Sequence, residues 1–258
     1  MTGTVKADID GNVCTLTISN PGKRNAIGYT ILEELIEQFE RLDQRDDYPV
    51  VVLTGEGDHA FSAGFDLSVD RTEQTEEQKE LWPRMISTLE EYEYPTIAMI
   101  NGDTYGGAME LISTCDLRVG VRGATFGITP AKIGLVYKGT SIKRVIDVVG
   151  YPYAKELLFT GEPIDSNRAD EIGLLNHLTD RDELEETTYD LAETIAGNAP
   201  LSLKYMKKIF RNLEEKTTPS DLEQDWVSRV RDEAFKSADH EEGIRSFNAG
   251  DDPEFVGE

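Results

Sequence analysis

Two glycine-containing turns carry the residues best suited to chemistry: Phe61-Ser62-Ala63-Gly64-Phe65-Asp66-Leu67 and Asn101-Gly102-Asp103-Thr104-Tyr105-Gly106-Gly107-Ala108-Met109-Glu110. Gly106-Gly107 opens a predicted helix, so unpaired backbone N–H groups and the positive end of the helix dipole face outward there. Such a setting suits a developing oxyanion. Glu110 follows Gly107 by three residues and returns to the same helix face one turn on. A carboxylate beside an oxyanion donor is a candidate general acid or base. As a first-turn acid it would also stabilise its helix by ~0.3–1 kcal/mol. Either turn alone reads as ordinary strand punctuation; together they say more.

Both turns need strands behind them. Val50-Val51-Val52-Leu53 and Pro95-Thr96-Ile97-Ala98-Met99-Ile100 are continuous apolar runs that read as buried strands. Residues 4–9 and 12–18 alternate around Asp10-Gly11, the mark of a hairpin. Apolar residues from Ile31 to Leu42 recur at helical spacing, 73–92 reads as a charged helix interrupted by Pro83, and a short helix near 107–114 leads to a strand from Leu117 to Val121. Strands alternating with helices predict a mostly parallel α/β core. After about residue 140 the pattern turns helical, over 140–149, 152–159, 180–197, 201–214 and 219–236, with one strand-like stretch from Leu174 to Leu178. The expected division is a core over 1–190 holding the site and a helical cap or oligomerisation region over 191–258.

Composition narrows the function classes. The 258 residues include 50 Asp and Glu against 26 Lys and Arg, a net charge of −24 that repels nucleic-acid phosphates. Ten Tyr, nine Phe and 38% hydrophobic residues are not the composition of a disordered acidic tail. The acid is spread along nearly every predicted helix, as a solvated coat that keeps a protein soluble where salt is concentrated. The expectation is a cytoplasmic protein of a salt-accumulating cell. No apolar run reaches the roughly 18 residues of a membrane span, and residues 1–6 have no signal-peptide core.

Other motifs are decoys. Gly55-Glu56-Gly57-Asp58-His59-Ala60 fits a dinucleotide fingerprint in letters only, because Gly64 follows where a helix should begin. His59, His177 and His240 are scattered, and Cys14 and Cys115 have no CxxC partner, so no metal is expected. Lys204, Lys207, Lys208 and Arg211 share a helix side that reads as a solvated face, with attraction of a polyanion as the second reading.

The turns, together with Asn20-Pro21, Arg24-Asn25-Ala26-Ile27, Cys115-Asp116-Leu117, Phe126-Gly127-Ile128-Thr129-Pro130, Phe159 to Ile164, Gly173 to Asn176 and Glu242-Gly243-Ile244 with Phe247, resemble the crotonase superfamily, also called the enoyl-CoA hydratase/isomerase family, over essentially the whole chain. The resemblance implies an α/β spiral of ββα units with a helical C-terminal region, assembled as a homotrimer or homohexamer. It implies an acyl-CoA substrate and no separate cofactor, coenzyme A being part of the substrate. The thioester oxygen would rest on the backbone N–H groups of Phe65 and Gly107. Arg24 would contact phosphate, Ala63, Asp66 and Leu67 would line the coenzyme A path, and Phe247 belongs to the C-terminal part of that path.

Hydratases of this family use two glutamates. The first matches Glu110, whereas the second place is Ala131, and a lysine that normally follows the Phe247 place is Gly250. Coenzyme A affinity is then expected from Arg24, Lys132, Lys138 or Lys143. The stretch from Thr129 to Tyr137, with Tyr105 to Glu110, Lys155 to Thr160 and Pro253 to Gly257, is similar to the methylmalonyl-CoA decarboxylase branch, in which a tyrosine at the Tyr137 place lies in the active site. Tyr137 also reads as a core or interface ring. The expected activity is decarboxylation or isomerisation before hydration. A true hydratase and a catalytically silent acyl-CoA binder are the alternatives.

Overall fold

The computed structural model describes residues 3–45, 50–68, 74–198, 200–215 and 238–251, with Asp232, Phe235 and Lys236. The N-terminal alternation forms an antiparallel hairpin of β1 (Thr4–Asp10) and β2 (Val13–Ser19). Its turn falls on Gly11-Asn12, one residue later than the Asp-Gly pair suggests. The cause is tertiary: β2 enters a parallel pairing at Val13, and the Val50 N–H donates to the Asn12 carbonyl.

Three strand–strand–helix units follow α1 (Tyr29–Asp43). They are β3 (Val50–Gly55), β4 (Ala60–Ser62) and α2 (Glu76–Glu91); β5 (Thr96–Ile100), β6 (Asp103–Tyr105) and α3 (Gly107–Thr114); and β7 (Leu117–Val121), β8 (Thr125–Gly127) and α4 (Gly139–Thr160). The first strand of each unit joins a six-stranded sheet and the second joins a four-stranded sheet, so the chain winds between them. With β9 (Ile164–Asp165), α5 (Ser166–Glu171) and β10 (His177–Thr179), the sheet orders are β1-β2-β3-β5-β7-β10 and β4-β6-β8-β9. The ββα spiral is present, in a mixed α/β fold.

Burial explains the sequence pattern. Every residue of β3 and β5 is buried, with α6 (Leu184–Ala196) packed across both strands, and strands buried throughout read as unbroken apolar runs. α1 buries Ile31, Leu32, Leu35, Ile36, Phe39 and Leu42, the stripe its periodicity marks. α6 packs across β2, β3, β5 and β7 and spans residue 190. α4 breaks at Gly150, just before Pro152, into the two helices expected. α2 instead runs through Pro83: a Thr75–Gln78 capping box starts it, and buried Leu81, Met85, Ile86 and Leu89 offset the hydrogen bond that Pro83 cannot donate.

α7 (Pro200–Glu215) corrects one expectation. Lys204 pairs with Glu93, and Lys207 pairs with Asp116 at 2.7 Å while donating to the Tyr94 carbonyl at 2.8 Å. These lysines dock the helix onto the core rather than forming a solvated face. Tyr205, Met206, Ile209 and Phe210 point outward instead, at 49–65% exposure. α8 (Ala238–Ala249) packs on the turn at Pro130–Ile133. The helix expected over 219–236 lies outside the described residues apart from the three named, as do Pro253 to Gly257. Among the described residues no helix is long and apolar enough to cross a membrane.

Candidate active site

Buried asparagines hold the two glycine turns. Asn25, 1% exposed, donates from Nδ2 to the Glu56 and Ala60 carbonyls at 3.0 and 2.8 Å and accepts from the Asn20 N–H at 3.0 Å. Asn101 donates to the Gly55 carbonyl at 2.7 Å and accepts from the Gly55 N–H at 3.2 Å. Pairing on both sides of each amide is what makes burial tolerable. The turns thereby become rigid.

Phe65 forms an isolated parallel bridge with Ile27. The Ile27 N–H donates to the Gly64 carbonyl at 2.8 Å, and the Asp66 N–H donates to the Ile27 carbonyl at 3.0 Å. In a parallel bridge the flanking residues carry both bonds, so the N–H of Phe65 is directed away from Ile27. Gly64 has φ 85°, and a β-carbon there would lie 2.5 Å from the Tyr105 carbonyl oxygen and 2.7 Å from the Gly107 nitrogen. Only glycine lets the turns meet so closely. Gly107 is the first residue of α3, so its N–H has no acceptor within the helix.

Glu110 is 6% exposed, and both of its carboxylate oxygens are engaged. Trp82 Nε1 on α2 donates to Oε2 at 2.9 Å, and Arg144 Nη1 on α4 donates to Oε1 at 3.2 Å. Arg144 also reaches Glu90 through Nη2 at 2.6 Å, and its buried Nε has no partner among the described residues. Three helices therefore converge on one carboxylate. The Trp82 indole lies on Gly107, where a β-carbon would come within 2.6 Å of Cη2. Its ring stacks edge-on against Phe65 at 6.1 Å, and Phe65 against Tyr29 at 5.8 Å. The Tyr137 hydroxyl lies 4.0 Å from the place of a β-carbon on Gly106. Phe65, Gly107, Glu110 and Tyr137 thus come together from separate parts of the sequence, joined by Trp82 and Arg144, which no motif singles out. Trp82 carries only a core signal in the sequence, in helical phase with Met85, Ile86 and Leu89.

The outer residues are more dispersed. The Arg24 carbonyl accepts from the Ala63 N–H at 2.9 Å, and the exposed Arg24 side chain has no ion-pair partner among the described residues. It borders a groove of about 450 Å³ whose other charged lining residues are Glu56, Asp58 and Asp103. Asp66 accepts from Lys23 Nζ at 2.7 Å and from the Ser68 hydroxyl and N–H. Burial pushes the Asp66 pKa up, but these donors together bring it below the usual carboxylate range. Leu67 is half-buried beside it, whereas Phe247 on α8 is 63% exposed. Ala131 is exposed in the Pro130–Ile133 turn. Two of the lysines expected to serve phosphate are committed elsewhere: Lys132 pairs with Glu162 at 2.7 Å and Lys143 with Asp147 at 2.5 Å.

The sequence and the fold both match known proteins. A family model described as enoyl-CoA hydratase/isomerase matches residues 8–258. The chain is 30% identical over 241 residues to methylmalonyl-CoA decarboxylase of Escherichia coli, covering 91% of each chain. It is also 30% identical over 242 residues to short-chain-enoyl-CoA hydratase of Clostridium acetobutylicum, covering 92% of each. A solved structure of methylmalonyl-CoA decarboxylase in complex with 2-nitronate-propionyl-CoA superposes with a TM-score of 0.92 at 28% identity, over 99% of both chains.

Proposed function

The chain belongs to the enoyl-CoA hydratase/isomerase family, and from its site we propose that it decarboxylates a 2-carboxyacyl-CoA thioester rather than hydrating an enoyl-CoA. One observation carries the choice: Glu110 is the single carboxylate of the family's pair, and the second place is Ala131, which can neither position nor deprotonate water. Decarboxylation needs no such pair.

In this reading the thioester oxygen sits between the N–H groups of Phe65 and Gly107. The bond from the α-carbon to the carboxylate breaks, carbon dioxide leaves, and its electron pair forms the enolate, whose negative oxygen those N–H groups stabilise. Fixed donors aimed at such charge are worth several kcal/mol, ~10²–10³ in rate each. The α-carbon then takes one proton, which we assign to the Tyr137 hydroxyl, resupplied by solvent. Arg24, Ala63, Asp66, Leu67 and Phe247 are assigned to the coenzyme A path. Double-bond isomerisation is a second reading, favoured by Glu110: one carboxylate beside an enolate can take a proton from one carbon and return it to another.

The outward apolar residues of α7, with the family resemblance, support assembly as a homotrimer or homohexamer through the helical C-terminal region.

Incubation with methylmalonyl-CoA and ethylmalonyl-CoA in molar KCl, read by mass spectrometry, tests the proposal. Loss of carbon dioxide, slowed at least tenfold by Tyr137→Phe, is the expected result. Coenzyme A binding with no turnover across an acyl-CoA panel would instead make the chain a silent binder.

A further inference from the structure

We infer that Trp82 sets the length limit of the acyl group, restricting the site to short thioesters. The inference rests on the acyl-CoA reading above and narrows its substrate class. The indole touches Gly107, Glu110 and Phe65 of the proposed site. Its benzo edge lies on Gly107, where a β-carbon would meet Cη2 at 2.6 Å and Cζ2 at 2.7 Å. Its Nε1 donates to Glu110 Oε2 at 2.9 Å, and its face stacks edge-on with Phe65 at 6.1 Å and 73°. Trp82 therefore spans the ground from the first residue of α3 to the carboxylate one turn on, about 4.5 Å along the axis. An acyl group whose thioester oxygen is held at Gly107 lies against that indole, which closes the space beside Glu110.

The wall is also fixed. Rotating the indole aside would break the bond to Glu110, and Glu110 is held from the other side by Arg144 at 3.2 Å. Phe65 is backed in turn by Tyr29, whose ring lies at 5.8 Å. A methionine at this place could fold away from a longer chain; a tethered indole packed on backbone cannot.

Calorimetric titration with butyryl-CoA and octanoyl-CoA tests this without any turnover. The wild-type protein is expected to bind butyryl-CoA at least tenfold more tightly than octanoyl-CoA. Trp82→Phe, which keeps a ring but loses the tether to Glu110 and the edge on Gly107, should narrow that preference, and Trp82→Ala should abolish or reverse it. Equal binding of the two thioesters by the wild-type protein overturns the proposal and leaves the acyl-CoA reading standing. Where Trp82→Ala does not fold, the narrowed ratio of Trp82→Phe carries the test, and an unchanged ratio in that variant overturns the proposal. Failure to bind either thioester contradicts the acyl-CoA reading, and the length limit falls with it.

Discussion

Arg144 on α4 reaches Glu110 on α3 at 3.2 Å, while the same guanidinium holds Glu90 of α2 at 2.6 Å. One cation thus fixes the carboxylate of the proposed site and ties together three helices. Arg144→Met leaves Glu110 buried with only Trp82 as donor. Hydrogen bonds to charged groups are worth ~1.5–3 kcal/mol, so urea denaturation should show a stability loss of that order. Turnover should fall at least tenfold, and Arg144→Lys should recover part of both.

The meeting of Gly64 with Gly107 gives a sharper test. Gly64→Ala places a methyl 2.7 Å from the Gly107 nitrogen at a residue whose φ is 85°. The turns must part, and the proposed pair of donors with them. A rate loss of ~10²–10³ is expected, the cost of one misaligned oxyanion donor. Near-normal coenzyme A affinity in the same variant would place the defect in the chemistry.

Asp66 predicts an acid limit. Its folded pKa lies below the ordinary carboxylate value, so it stabilises the fold fully above about pH 3.9 and progressively less as pH falls through the lower folded value. Asp66→Asn should lose stability at neutral pH and show a shallower acid-unfolding curve. Unchanged stability at neutral pH and an unchanged acid-unfolding curve would show that the Lys23–Asp66 pair contributes nothing to stability.

Cys14 and Cys115 report on the salt expectation. Both are buried, and desolvation pushes their thiols up to about 11 and about 12. Neither should react with an aromatic disulfide reagent at pH 8 while the fold is intact. A net charge of −24 repels itself over a long Debye length in dilute buffer. Both thiols should therefore become reactive in dilute buffer and stay protected in molar KCl. Protection independent of salt would contradict the halophilic reading.

The parts legible in the sequence were those encoded locally. Gly106-Gly107 and Glu110 announce themselves by spacing, and the run from Val50 to Leu53 by unbroken apolarity. Hidden were roles set by packing between distant helices. Trp82 reads as one more member of a buried stripe, and no motif singles out Arg144, yet both end on Glu110. Lys204 and Lys207 read as solvated because Glu93 and Asp116 lie more than ninety residues away in sequence. A charge's partner is a tertiary fact that helical phase does not contain.

A single carboxylate without its partner should favour carbon dioxide loss over hydration, and a competition in molar KCl exposes that preference. Equal methylmalonyl-CoA and crotonyl-CoA are supplied in one reaction, and both products are quantified by mass spectrometry. We predict propionyl-CoA in at least hundredfold excess over 3-hydroxybutyryl-CoA. Hydration of crotonyl-CoA as fast as decarboxylation, or faster, would show that Glu110 alone suffices to activate water and that the protein is a hydratase.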